Sequence, residues 1–105
     1  MMQEVGLTEQ QLAALIDVFQ KYPAIEKVKL YGSRAKGSYG ERSDIDLVAY
    51  GEQLNRDIIA LVLLDIEDSD IPYQVDLQDY HELKNKNLID HIDRIGFEIY
   101  RRKAE

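Results

Sequence analysis

With 105 residues, 45% hydrophobic and 31% charged, the chain suits a single domain spanning 1–105 around one modest core. Its net charge of −7 argues against a broad grip on long nucleic acid, and the absence of cysteine removes disulfide and thiolate-metal chemistry. The N-terminus lacks the basic head and apolar run of a signal peptide, and no apolar run is long enough for a membrane span, so the expected compartment is the cytoplasm.

In chain order, Thr8 is a good helix N-cap, Gln11 completes a capping box, and Leu7 can staple onto Leu12. Leu12, Leu15, Ile16 and Phe19 then recur at helical spacing, and Pro23 ends the segment. Val28 to Tyr31 reads as a strand with Val28 and Leu30 inward. Gly32 allows a sharp bend, and Ser33-Arg34-Ala35-Lys36 starts a short helix. A polar loop, Ser38 to Arg42, leads to a strand from Asp44 to Tyr50 that breaks at Gly51.

A second long helix is expected from about Leu54 to Asp68. Its middle, Ile58 to Leu64, is apolar all round and should be buried all round, against the sheet on one side and a third helix or a partner chain on the other. Pro72 opens a strand through Leu77 that places Tyr73, Val75 and Leu77 on one face and Gln74, Asp76 and Gln78 on the other. A helix near Asn87 to Arg94 uses Leu88, Ile89 and Ile92 as its core side, Gly96 ends it, and Phe97 to Tyr100 alternates like a last strand before a solvated basic tail. His81 and His91 are expected at the surface or in caps, since neither has a partner at metal-ligand spacing.

Two segments carry chemistry. Gly32-Ser33 sits between a strand end and a helix start, where free backbone N–H groups favour an anion; Ser33 adds a hydroxyl, and Arg34 or Lys36 adds charge. Asp44-Ile45-Asp46 puts two carboxylates on one strand face, roughly 6–7 Å apart, with Ile45 and Leu47 inward. Such a pair repels itself unless a cation intervenes, and carboxylate oxygens are the hard ligands that Mg²⁺ takes alongside substrate phosphates.

Gly32-Ser33, ten intervening residues, then Asp44-Ile45-Asp46, with a third aspartate in Val75-Asp76-Leu77, resembles the signature of the DNA polymerase β nucleotidyltransferase superfamily, and most of all its minimal (MNT) members. The resemblance runs from about Val28 to Leu77. It implies that Asp44, Asp46 and Asp76 are the catalytic, metal-holding residues, that two Mg²⁺ ions serve there, and that Gly32 and Ser33 grip the triphosphate of a nucleotide such as ATP. It further implies a small helical partner of the HEPN type, to which such domains transfer AMP as antitoxins; a second copy of the chain is the other candidate partner.

The expected architecture is α+β: a small mixed sheet like the polymerase β palm, with helices packed on one face and the three aspartates on the other. Asp76, facing the pair from a separate strand, is the candidate to take the proton from the attacking hydroxyl. Two other readings stand beside the enzyme: a catalytically weak module that masks a partner, and a sensor that binds the triphosphate and transfers nothing.

Overall fold

A computed structural model describes residues 6–40 and 42–103. Part of the N-terminal stretch read as free of a signal peptide, and Glu41 of the polar loop, lie outside the described residues. The elements are α1 (Glu9–Gln20), β1 (Lys27–Tyr31), α2 (Gly32–Lys36), β2 (Ile45–Tyr50), α3 (Arg56–Glu67), β3 (Val75–Asp79), a 3-10 turn (Tyr80–Glu82), α4 (Lys86–Ile95) and β4 (Phe97–Arg101).

Local chemistry sets several boundaries. The Thr8 hydroxyl accepts the Gln11 N–H while the Gln11 side chain accepts the Thr8 N–H, each over 3.0 Å, so the capping box forms as expected. Asn55 caps α3 and Asn85 caps α4 through their side-chain oxygens. The third strand starts at Val75, three residues later than Pro72 suggested, although the Gln74 carbonyl still accepts the Ile45 N–H at 2.8 Å.

The sheet order is β3-β2-β1-β4, with β1 antiparallel to both β2 and β4, and β2 parallel to β3. A parallel pair needs a crossover, and α3 supplies it. Alternation then sorts the strands into two faces. Val28, Leu30, Ile45, Leu47, Ala49 and Leu77 join Leu15, Phe19 and Val62 in the main core, so α1 and α3 cover that face as the sequence reading required. The aspartates occupy the opposite face. There, α4 lies over part of the sheet, because Ile92 buries itself against Tyr31 and Val48 with Leu88, Tyr50 and Tyr80 around them.

The sheet thus carries a helix on the face expected to hold only the aspartates, and that placement corrects one further expectation. With α4 on the aspartate face, it cannot cover the outer side of α3, where Leu61 is 50% and Leu64 56% exposed; only Val62 and Ile66 of that helix are buried. The basic tail also differs: Arg102 donates from Nε to the Ile25 carbonyl and from Nη2 to the Tyr22 carbonyl, pinning the end of the sheet to the α1–β1 connection.

Candidate active site

The β1–α2 turn and the two neighbouring strands build one row of side chains. Tyr31 is in register with Asp46 across the antiparallel β1–β2 pair, and Asp46 with Asp76 across the parallel β2–β3 pair. Register partners project to the same face, so Tyr31, Asp46 and Asp76 stand side by side on the face away from the main core. Asp44 lies one residue ahead of β2 and is exposed.

Gly32 makes the approach possible. Its φ of +77° lies in the left-handed region, and a Cβ there would collide with Oδ2 of Asp46 and stand 3.1 Å from its Cγ. The five-residue α2 that follows ends at Gly37, whose φ of +80° forms a left-handed cap. Ser33 is half-buried in α2, and Lys36 is exposed in its last turn.

The electrostatics match two or more acids crowded on one face. The Asp46 carboxyl is held above the usual carboxylate range, first by burial, then by the negative charge of Asp76 and of Asp44. The Tyr31 phenol is pushed far above its ordinary value by burial, by Asp76 and Asp46, and by a hydrogen-bonding interaction with Asp76. The Gln78 amide donates to both oxygens of Asp76, at 3.0 and 3.3 Å.

Two residues have positions that local sequence did not reveal. Arg34, expected to reach phosphates, is 1% exposed; its Nε and Nη2 donate to the Ser43 carbonyl at 3.2 and 2.8 Å. Its guanidinium carbon lies 4.3 Å from the Tyr73 ring centre and 5.3 Å from that of Tyr39. Arg34 thus ties α2 to the residue just before Asp44. His91, expected at the surface or in a cap, is half-buried in α4 and accepts the Gly32 N–H at Nε2 over 3.2 Å. The available signal was its spacing: Leu88, His91 and Ile92 fall at i, i+3 and i+4, on the side of α4 that meets the sheet.

Among the described residues, no three His, Asp or Glu side chains converge closely enough to hold a metal ion as they stand. The donor chemistry nonetheless fits a hard divalent cation: Asp44, Asp46 and Asp76 are all carboxylates, and the mutual repulsion that adds to burial in raising Asp46 is what a bound cation neutralises.

The same fold occurs in solved toxin–antitoxin structures. A toxin–antitoxin complex with AMP-PNP contains a chain 19% identical to this one, with a TM-score of 0.70 over 92% of this chain and 76% of that one. The MntA–HepT toxin–antitoxin gives 15% identity and a TM-score of 0.67 over 90% and 74%. A complex of a tri-AMPylated Shewanella oneidensis HEPN toxin with an MNT antitoxin gives 15% and 0.68 over 91% and 74%. At these identities the likeness is one of fold. No curated protein matches the chain. The family model described as "Polymerase beta, Nucleotidyltransferase" matches residues 13–105, which carry the turn and all three aspartates, and the chain therefore belongs to the polymerase beta nucleotidyltransferase family.

Proposed function

We propose that the chain works as a single minimal nucleotidyltransferase domain in the cytoplasm, transferring AMP from ATP to a hydroxyl of a HEPN-type partner and thereby acting as an antitoxin. The observation that carries the reading is the row of Asp46 and Asp76 beside the Gly32 turn, with Asp44 at its edge, in a chain of this family. Asp44, Asp46 and Asp76 are the residues that would hold Mg²⁺. When bound, Mg²⁺ neutralises phosphate charge and lowers the pKa of the attacking hydroxyl.

The chain's own groups account for the rest. Gly32 and Ser33 hold the triphosphate beside the carboxylates, with Lys36 supplying charge from the exposed end of α2. The acceptor oxygen attacks the α-phosphorus, the bond to the β-phosphate oxygen breaks, and pyrophosphate leaves. Asp76, oriented by the Gln78 amide, takes the acceptor's proton. The toxin–antitoxin complexes with AMP-PNP and with an AMPylated HEPN toxin support ATP and such an acceptor by analogy of fold.

A second reading, a catalytically weak module that masks its partner, draws on a separate observation: Leu61 and Leu64 are exposed on α3, which packs on the face of the sheet opposite the aspartates. Incubation with Mg²⁺, each labelled triphosphate in turn and a HEPN-type protein encoded beside it separates the two. The enzyme reading expects label on the partner from ATP; partner binding with no label from any triphosphate contradicts it and supports masking.

A further inference from the structure

The peptide that joins β1 to α2 is held from the far end of the chain. The Gly32 N–H donates to Nε2 of His91, 59 residues later, over 3.2 Å. An imidazole nitrogen that accepts carries no proton, so His91 is neutral in this arrangement, with its hydrogen on Nδ1. Its ring stands edge-on to Tyr31, with centres 6.0 Å apart and planes at 78°. One residue on, Ile92 is fully buried against Tyr31 and Val48, which fixes α4 on the sheet and with it the histidine. His91 is therefore a rigidly mounted acceptor aimed at one amide.

That amide belongs to the residue that packs directly against Asp46, since even a methyl group on Gly32 would collide with the carboxylate. We propose that His91 is a positioning residue for nucleotidyl transfer: by anchoring the Gly32 amide from α4, it sets the spacing between the turn and Asp46, and hence where the α-phosphate of the bound triphosphate lies relative to the carboxylates. The proposal rests on the nucleotidyltransferase reading above. It assigns α4 the task of holding the turn in register. Because His91 acts through Gly32, losing it disturbs alignment more than ground-state binding, so kcat falls more than KM rises.

The side chains that test this differ in reach. Gln carries an amide oxygen at about the position of Nε2, Asn stops one bond short, and Leu fills the space without accepting. The parent, His91→Gln, His91→Asn and His91→Leu are compared by transfer kinetics with Mg²⁺, labelled ATP and the HEPN-type partner, by hydrogen exchange of the Gly32 amide, and by thermal unfolding. The expected result is a loss of about tenfold in kcat for the Leu and Asn variants at similar KM for ATP, the size that follows from one lost hydrogen bond with its donor left unpaired, together with a Tm lower by several degrees but a fold that survives. The Gln variant recovers most of the rate, and Gly32 exchanges faster in the Leu and Asn variants alone. Parental kcat in His91→Leu, or an equal loss in the Gln and Leu variants, overturns the proposal. A parent that transfers no label overturns the nucleotidyltransferase reading and this role with it; Gly32 exchange then shows separately whether the anchor exists, because it is measured without nucleotide.

Discussion

Replacing Gly32 with alanine tests the close approach of turn and carboxylate, because the chain supplies its own control in Gly37. Both glycines bound the same short helix, and both have φ near +80°. Around Gly37, however, an added Cβ meets nothing within 4 Å, whereas at Gly32 it runs into Asp46. Gly37→Ala thus carries only the left-handed backbone penalty, about 1–2 kcal/mol. Gly32→Ala carries that penalty plus the displacement of Asp46 from its rotamer, about 0.5–1.5 kcal/mol more. For a domain of this size each kcal/mol lowers Tm by about 4–8 °C, so Gly32→Ala should melt about 2–12 °C below Gly37→Ala. Calorimetry reads that difference, and titration with a non-hydrolysable triphosphate and Mg²⁺ reads the functional half: affinity falls in the Gly32 variant and holds in the Gly37 variant. Adding Asp46→Ala to each should erase the difference in Tm, since the backbone terms are common. Equal melting temperatures and equal triphosphate affinities for the two single variants would refute the reasoning.

Three further predictions concern neighbouring features. Asp46→Asn should abolish transfer and raise Tm at pH 7: the folded-state pKa of Asp46 lies above its unfolded value, so its ionisation destabilises the fold as pH rises, and the gain should vanish as pH falls below about 4; an Asn variant less stable than the parent at neutral pH contradicts this. Arg34→Lys should be destabilising by about 2–4 kcal/mol despite keeping the charge, because lysine cannot lie flat on Tyr73 while donating twice to the Ser43 carbonyl; a parental Tm would show that the guanidinium fork is dispensable. Leu61→Asp or Leu64→Asp should leave Tm nearly unchanged and weaken partner binding at least tenfold, whereas Val62→Asp unfolds the domain. Undiminished binding by both Leu variants would place the partner elsewhere.

What the sequence disclosed, and what it withheld, follows the range of each interaction. The Thr8–Gln11 box, the Gly32 bend and the alternation that turns Asp46 and Asp76 to one face depend on neighbours a few residues apart, and spacing alone reveals them. The burial of Arg34 depends on Tyr73 and on the loop carbonyl of Ser43, and nothing beside Arg34 in the chain distinguishes it from a surface cation. His91 escaped for a similar reason: its partner is a backbone N–H 59 residues away, which leaves no trace in composition or motif. For α3, apolarity on every side was visible, but hydrophobicity does not say what covers a surface. Once Ile92 draws α4 to the aspartate face, Leu61 and Leu64 are left exposed.

The most direct test of nucleotidyl transfer is to supply the parent and Asp46→Asn with Mg²⁺, the HEPN-type partner and ATP labelled either in the α-phosphate or in the γ-phosphate. Attack at the α-phosphorus predicts that the parent places α-label on the partner and leaves γ-label in pyrophosphate, and that Asp46→Asn does neither. Label reaching the partner from the γ-phosphate, or α-label transferred by Asp46→Asn at the parental rate, would contradict the assignment of this site.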